Sequence, residues 1–257
     1  MRDPSRDLPS LAADVLARVR ARAPRVHCIT NAVAQNFTAN MLLALGAIPS
    51  MTIAPEEVAE FAGRADALLI NLGTLDAERR AAAEIASAVM GEAARPWVLD
   101  PVFVERSAPR TAFARALLAK RPHIVRLNRA EFEALSGAPL NDAALADFAR
   151  RTGAAVGLTG EADRVTDGAR HARIDNGSPL MAKVTAMGCA GTAVIAACHA
   201  VESDRWQATV AGLIVLGVAG ELAGATAAGP GSFAVGILDA IHALDRDTLI
   251  AKARVAR

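Results

Sequence analysis

The sequence predicts an α/β fold: an open, mostly parallel central sheet with helices on both faces. Three observations lead there. Short apolar runs alternate with helical stretches from residue 11 to residue 158, the rhythm of repeated strand–helix units. The runs are short and apolar, as strands buried under helices are. The segment 163–175 alternates around Asp167-Gly168, which reads as a hairpin that adds an antiparallel edge.

The elements follow in order. Residues 11–23 form an amphipathic helix, with Leu11, Val15 and Val19 on one side and arginines on the other. A strand is expected at 26–30, a helix at 35–45 stopped by Gly46, and a second strand at 47–51. Pro55-Glu56-Glu57 opens a helix with proline and acids in its first turn. Strands at 67–71, 97–99 and 124–127 alternate with helices at 77–90, 111–118 and 129–135, the last ended by Ser136-Gly137. A helix at 142–151 and a strand at 154–158 precede the hairpin, and helices dominate from Cys189 to the end.

Composition narrows the class. The 257 residues are 53% hydrophobic and contain no linker, repeat or low-complexity block, so one domain spanning 1–257 is expected. The 28 basic and 27 acidic residues leave a net charge of +1, and aromatic side chains are scarce; nothing asks for nucleic acid. Cys28, Cys189 and Cys198 are odd in number and lack C-x-x-C spacing, which fits a reducing cytoplasm. Residues 1–7 are charged and carry no apolar signal region. The apolar run 206–229 is interrupted by Gln207 and Glu221, has no basic flank after it and is rich in Ala and Gly. It reads as a tightly packed core helix, with no membrane span expected.

In such sheets ligands sit at the carboxyl ends of the strands, and polar residues gather there. Thr30-Asn31, Asn71, Asp100-Pro101, Arg126 with Asn128, and Thr159-Gly160-Glu161 each close a strand. The loop Val184-Thr185-Ala186-Met187-Gly188-Cys189-Ala190-Gly191-Thr192-Ala193 leads into a helix and offers backbone N–H groups to an anion. The P-loop lysine pattern and G-x-G-x-x-G after the first strand are both absent, which disfavours a Walker NTPase and a dinucleotide-binding domain. Asp100 and Glu131 are candidates to hold Mg²⁺ through water with substrate phosphates, although Glu131 reads equally as an acid in a first helical turn. Arg126 suits a phosphate clamp, and Thr159-Gly160 a nucleotide contact. Asn31, Asn36 and Asn40 lie close in sequence and suit a small polar ring with a hydroxyl. His27 reads as a strand histidine. Cys189 stands at a helix N-terminus, which lowers a thiol pKa. It is a candidate weak base or hydroxyl positioner, and also a plain buried helix residue.

Taken together, His27-Cys28-Ile29-Thr30-Asn31, Gln35-Asn36-Phe37-Thr38-Ala39-Asn40, Asn71-Leu72-Gly73-Thr74-Leu75, Leu99-Asp100-Pro101-Val102, Arg126-Leu127-Asn128 with Glu131, Thr159-Gly160-Glu161-Ala162-Asp163 and Gly229-Pro230-Gly231-Ser232-Phe233 resemble the hydroxyethylthiazole kinase family. The resemblance covers nearly the whole chain after residue 20. It implies a ribokinase-like fold and ATP-dependent phosphorylation of 4-methyl-5-(2-hydroxyethyl)thiazole in thiamine salvage. By motif it assigns Met51 and Ala186 to the substrate, Arg126 and Thr159 to ATP, and Asp100 and Glu131 to magnesium; the residue chemistry adds Asn31 to the substrate side and the anion-loop amide of Gly188 to the ATP side. Cys189 takes the place where related sugar kinases carry a catalytic aspartate. A cytoplasmic homotrimer is implied, with the thiazole site near the subunit interface. Two stretches depart from the family pattern. The anion loop reads Ala186-Met187-Gly188-Cys189 where Gly-x-Gly-Cys is usual, and Phe103-Val104-Glu105-Arg106-Ser107 replaces a glycine-rich stretch. Alanine disfavours positive φ, and Met187 is expected to add bulk beside the phosphates. A kinase for a pyrimidine or pyridoxal-like alcohol, and a homologue that binds without turnover, are the alternative readings.

Overall fold

The computed structural model describes residues 7–256; the charged stretch 1–6 read above lies outside them. Among the described residues nine strands make one sheet: β1 (Arg25–Ile29), β2 (Ile48–Ser50), β3 (Ala67–Asn71), β4 (Trp97–Asp100), β5 (Ile124–Leu127), β6 (Ala155–Leu158), β7 (Asp163–Thr166), β8 (His171–Ile174) and β9 (Val255–Ala256). Their spatial order is β2-β1-β3-β4-β5-β6-β7-β8-β9. Pairing is parallel from β2 through β6 and antiparallel beyond. The chain reverses its direction of travel across the sheet between β1 and β3, the switch point where open α/β sheets open a ligand crevice.

The period-two alternation of each strand splits the core in two. Val26, Cys28, Leu69, Val98 and Ile124 pack with α1 (Leu8–Arg22), α2 (Gln35–Leu45), α8 (Met187–Val201), α9 (Arg205–Thr226), α10 (Pro230–Ala243) and α11 (Arg246–Lys252). Ile29, Leu68, Ile70, Leu99 and Val125 pack with α3 (Val58–Arg64), α4 (Ala77–Glu92), α5 (Ala108–Ala119), α6 (Arg129–Ser136) and α7 (Asp142–Thr152). Each fully buried Leu or Ile contributes about 1.5–3 kcal/mol, so both layers hold the sheet and fix where its strand ends lie. Helix α9 is long and apolar enough by composition to cross a membrane, but 78% of its apolar window is buried inside the protein. Its small residues serve packing: a Cβ on Gly212 would stand 2.9 Å from the Ile195 backbone of α8.

Boundaries differ from the sequence expectation where caps decide them. Helix α1 starts at Leu8 because the Asp7 carboxylate caps the Ser10 amide at 2.9 Å and Pro9 fits the first turn. Helix α5 starts at Ala108, capped by Ser107. Residues 55–57 form a turn, and α3 begins only at Val58. Helix α8 begins at Met187, two residues before Cys189. The C-terminal segment is not wholly helical: Val255 and Ala256 pair with β8, a ladder too short for periodicity to announce.

Candidate active site

The six parallel strands end in a row of polar side chains. In spatial order Met51 follows β2, Asn31 follows β1, Asn71 ends β3, Asp100 ends β4, Arg126 lies in β5 and Thr159 follows β6. Neighbouring strands stand about 4.8 Å apart, so the row spans roughly 24 Å. Met51 and Thr159 mark opposite ends, and the acid and the arginine lie between them. Met51 is half-buried against the helical core, and Thr159 is half-buried beside the exposed Gly160.

The centre is a buried hydrogen-bonded cluster. Asn71 Nδ2 and Thr192 Oγ1 each donate to Asp100 Oδ2 at 2.8 Å. Asp100 Oδ1 is buried without a hydrogen-bond partner, and the Arg126 guanidinium approaches it at 4.0 Å. Burial raises the Asp100 carboxyl above its usual range, while Arg126, Thr192 and Asn71 pull it back. Glu131 is fixed by a capping box at the start of α6: it accepts from the Asn128 amide at 2.8 Å, and Asn128 accepts from the Glu131 amide at 3.0 Å. Glu131 also accepts from the Phe103 amide at 3.1 Å. Burial first, then the charge of Asp100, push Glu131 up to about 7. Beside Thr159, Asp163 accepts from the Gly160 amide at 3.1 Å, and burial pushes it up to about 6.

Two buried carboxyls, Glu131 raised by the charge of Asp100 and Asp100 with an orphaned oxygen, are a donor set that fits a hard divalent cation. Among the described residues no group of three or more His, Cys, Asp or Glu side chains forms a metal cage. A cation here would need further oxygens from phosphate and water.

The anion loop meets this cluster from the helical side. Ala186 caps α8 in the left-handed region at φ 70°, which turns the first amides of the helix outward without intrahelical acceptors. A Cβ on Gly188 would lie 2.9 Å from Arg126 Nη1, so glycine lets the guanidinium lie against the helix start. Met187 is buried in the hydrophobic core, so its bulk does not lie beside the anion path as expected. Cys189 Sγ accepts from Asn31 Nδ2 at 3.2 Å. Contrary to the expected lowering, its thiol is pushed up to about 11, by burial first and then by Asp100, against the pull of Asn71, Asn31 and Arg126. Burial and a neighbouring carboxylate outweigh the helix N-terminus.

The structure brings Asn31, Asp100, Arg126, Glu131, Gly188 and Cys189 together and adds two residues that the sequence did not assign. Asn71 was visible only as a strand end. Thr192 lies three residues after Cys189, hence on the same helix face. Asn36 and Asn40 stay apart: Asn40 bonds the Asn36 side chain at 3.1 Å on the exposed face of α2. His27 is a buried strand histidine whose Nδ1 contacts Ser50 Oγ at 2.8 Å.

The sequence model of the hydroxyethylthiazole kinase family matches residues 16–247. The chain belongs to the hydroxyethylthiazole kinase family. A hydroxyethylthiazole kinase of Granulibacter bethesdensis is 48% identical over 255 residues, covering 93% of this chain and 92% of that one. A probable hydroxyethylthiazole kinase of Agrobacterium fabrum is 44% identical, covering 98% of both chains. The solved hydroxyethylthiazole kinase of Pyrococcus horikoshii superposes with a TM-score of 0.91 at 36% identity, covering 95% of this chain and 98% of that one. A pyridoxal kinase of Staphylococcus aureus, at 16% identity and a TM-score of 0.63 over 77% of this chain and 88% of that one, shares the fold alone. Membership makes the chain a kinase with a ribokinase-like fold.

Within this kinase, both departures from the family pattern fall on left-handed backbone: Ala186 at φ 70° and Phe103 at φ 56°. A side chain there costs about 1–2 kcal/mol, and glycine gives part of that back as unfolded-state entropy. Ala186→Gly is therefore expected to raise unfolding stability by roughly 0.5–1 kcal/mol in urea titration. A loss of stability would contradict the strain.

Glu131 supplies a pH signature. Its folded pKa of about 7 exceeds its reference of 4.5, so the folded state holds the proton more tightly between those values. That stabilising contribution is complete below the reference and is lost as pH rises through about 7. His27 and His199 are both pushed down to about 4 by burial and act in the opposite sense at lower pH. The useful quantity is therefore the difference between wild type and Glu131→Gln. In urea unfolding without divalent cations, wild type is expected to lose more stability than the variant from about pH 5 to pH 8; parallel curves would refute the assignment.

Proposed function

We propose that this chain transfers the γ-phosphate of ATP to the hydroxyl of 4-methyl-5-(2-hydroxyethyl)thiazole in thiamine salvage, with the whole chain acting as one kinase domain. The row of strand ends carries this reading. Its order runs from the Met51 and Asn31 end to the Arg126 and Thr159 end, so a small alcohol and an extended nucleotide can meet at Asp100 and the start of α8.

The alcohol oxygen bonds to the γ-phosphorus in line as the bond to the departing ADP oxygen breaks, and the hydroxyl proton leaves late to a phosphoryl oxygen or water. The transition state is loose, so positioning and charge neutralisation dominate. The Gly188 and Cys189 amides and the Arg126 guanidinium face the charge that develops on the transferred group. Asp100 and Glu131 would hold Mg²⁺, which supplies charge neutralisation on the phosphates when bound. With its thiol at about 11, Cys189 is protonated at neutral pH and acts as a positioner of the hydroxyl beside Asn31. Asn31, Met51 and Ala186 form the substrate side, and Arg126, Gly188 and Thr159 the nucleotide side. Because Ala186 does adopt the left-handed angle and Met187 is buried, the departure in the anion loop leaves the phosphate path open, which supports turnover over binding alone.

Exposed Val33, Leu43, Ile48 and Val235 and the outer edge of β2 support a homotrimer that covers them; sedimentation at the mass of one chain would refute it. The free thiols fit a reducing cytoplasm. A panel of alcohols with ATP and Mg²⁺ tests the substrate. The thiazole alcohol should give the highest kcat/KM, and a preference for a hydroxymethylpyrimidine or pyridoxal would overturn the reading.

A further inference from the structure

We infer that Asn71 is a positioning residue of the transfer site: its amide takes its orientation from Asp100 and imposes the orientation of Asn31 against Cys189. The inference rests on the reading that transfer occurs beside Cys189. Asn71 is buried at the end of β3. Its Nδ2 donates to Asp100 Oδ2 at 2.8 Å. Its Oδ1 accepts from Asn31 Nδ2 at 3.1 Å and from the Gly73 amide at 3.0 Å. An amide has donors at one end and an acceptor at the other. A flip would set the Asn71 oxygen against the carboxylate and its NH₂ against two donors, so both ends forbid it.

The same polarity passes to Asn31. Its Nδ2 serves both Asn71 and Cys189 Sγ, and its Oδ1 accepts from the Ala34 amide at 2.9 Å. Both Asn31 donor hydrogens are thus engaged, and the capacity left is a lone pair on Oδ1. A substrate hydroxyl meets Asn31 by donating its proton, which leaves the oxygen lone pair free for attack on phosphorus. Gly73 permits the contact, since a Cβ there would stand 2.7 Å from Asn31 Cβ. Reversing or removing the Asn71 amide would free Asn31 to turn and would leave Cys189 without its donor.

The test uses the full chain with Asn71→Leu, Asn71→Ser, Asn31→Leu and the Asn31→Leu/Asn71→Leu double variant, each checked for folding by circular dichroism. Asn71→Ser withdraws the polar group from both Asp100 and Asn31 without adding apolar bulk, so it remains informative if the leucine variant fails to fold. Both Asn71 variants should lower kcat about tenfold or more with KM for the thiazole alcohol within about threefold. The double variant should fall no more than about threefold below the poorer single variant, because coupled residues are not additive. Independently of turnover, alkylation of Cys189 by iodoacetamide, localised by mass spectrometry, should slow about threefold or more in both Asn71→Ser and Asn31→Leu as the thiolate loses its donor. Cys28 and Cys198 are buried and serve as internal controls. Wild-type kcat in Asn71→Ser, multiplying effects in the double variant, or unchanged Cys189 alkylation would each overturn the inference. Absence of wild-type turnover would instead count against the functional reading, with alkylation still deciding the relay.

Discussion

Asp100→Asn is expected to lower kcat by about 10²–10³-fold while leaving the protein at least as stable as wild type. The two effects have one cause. The Asp100 side chain is fully buried, one of its oxygens has no hydrogen-bond partner, and its only ion-pair contact among the described residues is Arg126 at 4.0 Å. A buried charge so weakly compensated costs folding energy. Asparagine keeps the acceptor that Asn71 and Thr192 use and removes the charge. What it gives up is the anionic oxygen at the centre of the strand-end row, where the cation and the phosphates must be held. Steady-state kinetics and thermal unfolding on the same samples check both halves. A variant that is both active and less stable would show Asp100 to be a structural acid.

The second large effect concerns Cys189. Cys189→Asp is expected to retain or raise kcat, and Cys189→Ala to lower it only about tenfold. A thiol at about 11 is too weakly ionised to serve as a base near neutral pH. A carboxyl in its place would feel the same burial and the same Asp100, and would be raised toward the working pH, where base catalysis is most effective. The Asn31 amide and the start of α8 are already arranged to donate to an anion there. Complete loss of activity in a folded Cys189→Ala would instead make the thiol obligatory.

Much of this site was legible in the sequence because its parts are local. Strand ends announce themselves by a polar residue after an apolar run, which is how Asn31, Asp100, Arg126 and Thr159 stood out. Glu131, as an acid in the first turn of a helix, and the small-residue start of α8 are short-range patterns too. What escaped depends on which strands are neighbours. Periodicity does not order strands, so nothing in the sequence set Asn71 of β3 between Asn31 and Asp100, or aimed Thr192 at the same carboxylate. The direction of the Cys189 shift was misjudged for the same reason: the helix start is local, whereas burial and Asp100 are tertiary. Met187 was expected beside the phosphates, but the first turn of α8 directs it into the core. The pattern departures at Ala186 and Phe103 were visible as residues, but their common cause, left-handed backbone at both, was visible only in the fold.

The most direct test of the central claim is ADP release by the wild-type chain with ATP, Mg²⁺ and 4-methyl-5-(2-hydroxyethyl)thiazole, with the phosphorylated thiazole followed by mass spectrometry. The strand-end row predicts ADP and thiazole phosphate in equal amounts, formed only when the alcohol is present and nearly abolished by Asp100→Asn. ADP release that ignores the alcohol, or full transfer by Asp100→Asn, would contradict it.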